Sequence, residues 1–190
     1  MALCIALSDM NAACHPFPST ISRPIVLIGL MGVGKTTIGR RLAARFGLDF
    51  ADADHEIEIA ADLSIREIFE RFGEDHFRDG ERRVIARLLD GKPKVVATGG
   101  GAFMNAVTRA LILSTATAVW IDADINVLAD RVGKRNTRPL LEGQDPRAVL
   151  GELAAVRNPI YALAPIHIKS QPAPHDATVN LIVEALKCHV

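Results

Sequence analysis

The sequence is short of aromatics, of cysteine and of net charge, and it has no long apolar run. Aromatic residues are only 5% of the 190, while hydrophobic residues are 49%. An apolar fraction this aliphatic suits helices packed on a parallel sheet of Val, Ile and Leu. Lys plus Arg equals Asp plus Glu, at 22 each. That balance argues against nucleic acid or an anionic membrane as partner, so any anion site has to be local. The three cysteines, Cys4, Cys14 and Cys188, lie near the termini without metal-ligand spacing. An odd, scattered set argues against a disulfide framework and fits a reducing, cytoplasmic setting. No stretch approaches the roughly 20 apolar residues of a membrane span. The opening "MALCIALSDMNAACHPFPSTISRP" lacks the basic flank of a signal peptide. It reads as a flexible tail over 1–23 or as the product of a start codon assigned too early. The remainder, 24–190, has the length of one domain.

From Pro24 onward short aliphatic runs alternate with helical periods. Strands are expected at 25–29, 49–52, 94–98, 118–122 and 166–169. Between them lie "GKTTIGRRLAARFG", several short helices from Glu56 to Leu89, "NAVTRALILS" and "INVLADRV", and the helices containing "DPRAVLGELAAVRNPIYALA" and "DATVNLIVEALK" complete the pattern. Ser64 and Glu67 have the spacing of a capping box, which predicts a helix start there. The alternation predicts an α/β three-layer sandwich: a central five-stranded parallel sheet with helices on both faces. Ligands of such a sheet sit beyond the carboxyl ends of its strands.

"GLMGVGKT" (29–36) matches G-x-x-x-x-G-K-[ST] between a strand and a helix, the P-loop of nucleoside triphosphatases and kinases. Gly29, Gly32 and Gly34 let backbone N–H groups, with those at Val33 and Thr37, close around phosphate oxygens. Lys35 reaches the β and γ phosphates of ATP, and the Thr36 hydroxyl coordinates Mg²⁺. "FADADH" then places Asp52 and Asp54 one residue apart at the end of the second strand. In an extended segment they share a side, and two carboxylates near the phosphates need a cation or donors between them. Mg²⁺, directly or through water, answers for Asp52. Asp54 is left to accept a hydrogen bond from a second substrate, to cap a helix starting at His55, or both.

Further along, Arg78 in "GEDHFRDGE" lies three helical residues before Glu81, near enough to be oriented by it. Arg157 lies in "VRNPIY", and a guanidinium grips a carboxylate with two parallel bonds. "TGGG" (98–101) ends a strand in bare backbone that a small ligand can approach. Taken alone, Arg78 reads as a surface ion-pair residue and the glycines as a turn. The segment 131–147 is charged, interrupted by Gly and Pro, and too polar for a core. Such a loop is often a lid, closing over ATP and excluding water.

The P-loop, the D-x-D pair, "GEDHFRDGE", "TGGGA", "RPLL" and "RNPIY", in that order from about Ile25 to His167, resemble shikimate kinase, a small-molecule kinase related to nucleoside monophosphate kinases. The resemblance implies Mg²⁺-dependent phosphorylation of the shikimate 3-hydroxyl by ATP, in aromatic amino-acid biosynthesis; a monomer is expected because the sheet uses every amphipathic face that can be drawn. It implies that Arg78, Arg157 and the Gly99, Gly100 and Gly101 backbone hold the carboxylate and hydroxyls, with Asp54 on a hydroxyl. Phe69 and Phe77 match aromatic walls of the acceptor pocket, carried by a helical part about 53–90. Arg131 matches a position that stacks on adenine, and Arg138 the lid arginine that neutralises the moving phosphoryl. Lys35, Asp54 and Arg138 are then the catalytic residues. Gly80, inside the Arg78 helix, and Met31, inside the P-loop, are departures that touch no chemical role. The rival readings are a gluconate-type kinase, a nucleotide-holding module without turnover and, on charge the weakest, a nucleic-acid kinase.

Overall fold

A computed structural model describes residues 21–133, 145–171 and 173–189. Five strands form one sheet: β1 (Ile25–Ile28), β2 (Asp49–Asp52), β3 (Lys94–Ala97), β4 (Thr117–Ala123) and β5 (Ile166–Ser170). All pairings are parallel, in the order β2-β3-β1-β4-β5. The expected strands therefore form, each within a residue of its expected bounds. β2 does not border β1, because β3 lies between them, with Val95 and Val96 facing β1 on one side and β2 on the other. The central strands read as unbroken apolar runs because helices cover both faces, and every residue of β1 is buried.

The helices are α1 (Lys35–Phe46), α2 (Ala53–Ala61), α3 (Ile65–Leu88), α4 (Ala106–Thr115), α5 (Ile125–Gly133), α6 (Pro146–Tyr161) and α7 (His175–Lys187), with a 3₁₀ turn at Ala102–Met104. Strands of one direction bring their carboxyl ends to one edge. From β1 the chain runs to β2 on one side and, after β3, crosses β1 to β4 on the other, which opens a crevice at that edge. The packed chain already includes Ile21, which is buried three residues before the expected start.

The region expected as several short helices is one short helix and one long, broken one. Ser64 and Glu67 form the full capping box at the start of α3: the Ser64 side chain accepts from Glu67 N–H, and the Glu67 carboxylate accepts from Ser64 N–H at 2.9 Å. α3 breaks at Gly73, with φ 79° and ψ 176°, a backbone shape that residues with a Cβ avoid. Across the break Phe69 and Phe77 bring their rings within 4.6 Å. The second half of α3 carries Arg78 and Glu81 toward the sheet edge.

Gly80 serves neither a turn nor a close approach. It is helical, and among the described residues a Cβ there meets nothing within 4 Å. Gly80→Ala is expected to stabilise the protein by about 1 kcal/mol, read as a rise of about 2–4 °C in melting temperature, with kinetics unchanged. A lower melting temperature would mean that α3 requires the glycine.

Candidate active site

The chain leaves β1 at Gly29 and enters α1 at Lys35. Gly34 is the N-cap of α1, with φ 96° and no side-chain cap. The first N–H groups of the helix therefore face the crevice as an anion site. Val33 is buried and pins the loop to the core, whereas Thr36 and Thr37 are exposed at the helix start. The Lys35 ammonium folds back over the loop, donating to the Gly29 carbonyl at 2.8 Å and the Leu30 carbonyl at 3.0 Å. It is thus held within the cradle, where phosphate oxygens can replace the two carbonyls.

Asp52 reaches this cradle across the width of β3. Its Oδ2 accepts from the Thr36 hydroxyl at 2.7 Å, and its Oδ1 accepts from the Asp54 N–H at 3.1 Å. The second bond corrects two expectations. β2 ends at Asp52, so the two aspartates do not share a strand side. Asp52, not Asp54, is the N-cap of α2, which begins at Ala53. The Asp54 carboxylate is thereby left to face Gly99. Among the described residues no cluster of three His, Cys, Asp or Glu side chains could hold a metal. The adjacent oxygens of Thr36 and Asp52 instead make a sparse, hard donor pair, suited to Mg²⁺ that takes its remaining ligands from phosphate and water.

The three glycines after β3 each face a different side chain. A Cβ on Gly99 would lie 2.7 Å from Asp54 Oδ1 and 3.0 Å from Glu81 Oε1. One on Gly100 would lie 3.1 Å from Arg157 Nη1, and one on Gly101 would lie 2.5 Å from Arg78 Nη1. The missing methyl groups are the room in which these side chains sit. The turn is a tight pocket wall with an acidic station and two guanidinium stations.

Arg78 is held from both sides. Nη1 donates to Glu81 Oε2 at 2.8 Å, while Nε and Nη2 donate to Glu74 Oε1 at 3.2 and 3.0 Å. Glu74 is mostly exposed and Glu81 is 3% exposed, so an incoming carboxylate can displace the first and not the second. Phe77 lies under the guanidinium, 5.1 Å from ring centroid to Cζ.

Glu81 was expected to orient Arg78, but its burial is not visible in a charged helical repeat. Among the described residues its buried Oε1 has no hydrogen-bond partner, and it faces Gly99. Burial pushes the carboxyl above its usual range, Arg78 opposes this, and Asp54 adds to it. An acid raised on folding supports the fold fully while protonated, below about 4.5. That support is lost as pH rises through the raised value, so ionised Glu81 costs stability at neutral pH. Glu81→Gln is expected to melt no lower than wild type at pH 7, with any gain shrinking toward pH 4.5. Its acceptor KM should rise about tenfold. A clear loss of stability with KM unchanged would make Glu81 a purely structural ion-pair partner.

On the nucleotide side the structure adds a residue with no motif of its own. The His175 ring, at the start of α7, lies against the P-loop, 2.9 Å from a Cβ built on Gly34. Its pKa is lowered by burial first and then by Arg131 and Arg41, against the pull of Asp176. The imidazole therefore lies against the loop with the half-buried Arg131 close enough to act on it. Arg138 and most of the expected lid, with Lys134 and Arg135, lie outside the described residues.

A family model described as shikimate kinase matches residues 31–187. A shikimate kinase of Zymomonas mobilis is 54% identical over 93% of this chain and 98% of its own length. A solved structure of shikimate kinase from Acinetobacter baumannii in complex with shikimate superposes with a TM-score of 0.84 at 34% identity, covering 88% of this chain and 94% of that one. A gluconokinase from Sinorhizobium meliloti reaches a TM-score of 0.56 at 18% identity, over 88% and 97% of the two chains, and so shares the fold alone.

Proposed function

The chain belongs to the shikimate kinase family, so its reaction is the ATP-dependent phosphorylation of shikimate, and we propose that the residues described above divide that work as follows. The P-loop backbone at Gly29, Gly32, Val33 and Gly34 and the first turn of α1, with Thr37, take the phosphates of ATP. Lys35 spans the β and γ phosphates and neutralises the charge that builds on the leaving β-phosphate. Arg131 bounds the base. Thr36 and Asp52 hold Mg²⁺, which when bound neutralises phosphate charge.

The acceptor lies against Gly99–Gly101. Arg78 and Arg157 fork onto its carboxylate, Phe69 and Phe77 wall its ring, and Asp54 accepts a hydrogen bond from the 3-hydroxyl. Phosphoryl transfer has a loose transition state, so alignment and charge neutralisation dominate. Asp54 aligns the attacking oxygen and takes its proton late, as an ordinary carboxylate is a weak base for an alcohol. A monomer is taken as the working unit, since none of these roles calls on a second chain.

The observation that carries this reading is the row of glycines facing Asp54, Arg157 and Arg78 one after another, beside a P-loop. A gluconate-type pocket has no need of that whole set. The test is ADP release with ATP and Mg²⁺, measured with shikimate, with gluconate and without acceptor. Release stimulated only by shikimate is expected. Equal release with gluconate would refute the acceptor assignment, and no stimulation by either would favour a non-catalytic module.

A further inference from the structure

Tyr161 ends α6, in the "RNPIY" stretch that supplies Arg157, and phosphoryl transfer itself gives it no task. It is 1% exposed, and its ring is packed against Trp120 and Phe103, with centroids 6.0 and 6.5 Å away. The hydroxyl nevertheless ends at the acceptor wall. It donates to the Gly100 carbonyl, and the Arg157 guanidinium lies beside it. A Cβ on Gly100 would lie 3.1 Å from Arg157 Nη1 and 3.7 Å from the Tyr161 hydroxyl, so the three groups converge on one point. The Gly100 carbonyl and the Gly101 N–H belong to one planar, trans peptide and point opposite ways. Fixing the carbonyl therefore fixes the direction of a donor on the wall that faces Arg78. The hydroxyl is shut off from bulk solvent, and its lone pairs remain for the Arg157 N–H groups.

We propose that Tyr161 is a positioning residue for the acceptor carboxylate, its single hydroxyl setting both the Gly100–Gly101 peptide and the Arg157 guanidinium before substrate arrives. This rests on the reading of Arg157 and the glycine wall as the acceptor site. Preset donors cost less ordering when the ligand binds, so the role belongs to KM for the acceptor and not to the chemical step. Burial pushes the phenol up to about 12, against the opposing pull of Arg157, which keeps it a donor through the neutral and mildly alkaline range.

The test is Tyr161→Phe beside Arg157→Ala and the double variant, with melting temperatures. Tyr161→Phe is expected to raise the shikimate KM about tenfold, leaving the ATP KM and kcat within about threefold. In the double variant the two effects should combine to less than their product, because they act on the same guanidinium. A shikimate KM unchanged in Arg157→Ala would overturn the acceptor assignment itself. A raised KM in Arg157→Ala with none in Tyr161→Phe would overturn only the positioning role and leave Tyr161 as packing. Should Tyr161→Phe not fold, a second route remains, because the chain has a single tyrosine. Biosynthetic incorporation of difluorotyrosine labels that position alone and lowers the phenol's pKa. The shikimate KM of labelled protein should rise with alkaline pH where that of unlabelled protein stays flat. Coincident profiles would overturn the proposal.

Discussion

Asp54→Asn is expected to lower kcat at least a hundredfold while leaving nucleotide affinity within about twofold of wild type. The side chain keeps its shape and its backbone bond, since the Asp54 N–H is held by Asp52 Oδ1 at 3.1 Å whatever the side chain becomes. The loss is chemical. An amide carries no negative charge to align the attacking hydroxyl or to take its proton as the oxygen bonds to phosphorus. Thr36, Asp52 and Lys35 stay in place, so ADP binding by calorimetry should be unaffected. Turnover near wild type would remove Asp54 from the mechanism, and a parallel loss of ADP affinity would make it part of the nucleotide site.

Gly99→Ala is expected to lower kcat/KM for shikimate at least a hundredfold in a protein that still folds. The added methyl would meet Asp54 Oδ1 at 2.7 Å and Glu81 Oε1 at 3.0 Å. Both are ends of side chains, not backbone, so the strain can be relieved by rotating them away. Rotation displaces the carboxylate proposed for the hydroxyl and the one that braces Arg78. Misplacement of about 1 Å in such a site is enough for losses of that order. Circular dichroism and a melting curve separate this from unfolding. A stable variant with normal kinetics would mean that the glycine wall is a turn and no more.

The parts of this site that a reader of the sequence can find are those written locally. The P-loop lies between a strand and a helix, and Ser64 and Glu67 mark a helix start by spacing alone. Arg78 and Glu81 pair because three residues make less than one helical turn. Whatever depends on strand order is hidden, since apolar runs carry no sign of which strand sits beside which. β3 lying between β1 and β2 is a case in point. The cap at Asp52 was hidden for a related reason: a strand that stops at Asp52 and one that continues to Asp54 differ by a bond that hydrophobic pattern does not report. Glu81 looks like any helical surface acid until the turn at Gly99 covers it. Tyr161 and His175 become site residues only when α6 and α7 are folded onto loops about 60 and 140 residues earlier.

A structure of the protein with Mg²⁺, ADP and shikimate bound would show whether the acceptor lies on the glycine wall. The shikimate carboxylate is expected between the guanidinium groups of Arg78 and Arg157, with Glu74 displaced. Its 3-hydroxyl should lie within hydrogen-bond distance of Asp54 and face the terminal phosphate on the P-loop. Shikimate bound with its carboxylate away from both arginines, or with its 3-hydroxyl on the side away from Asp54, would contradict that placement.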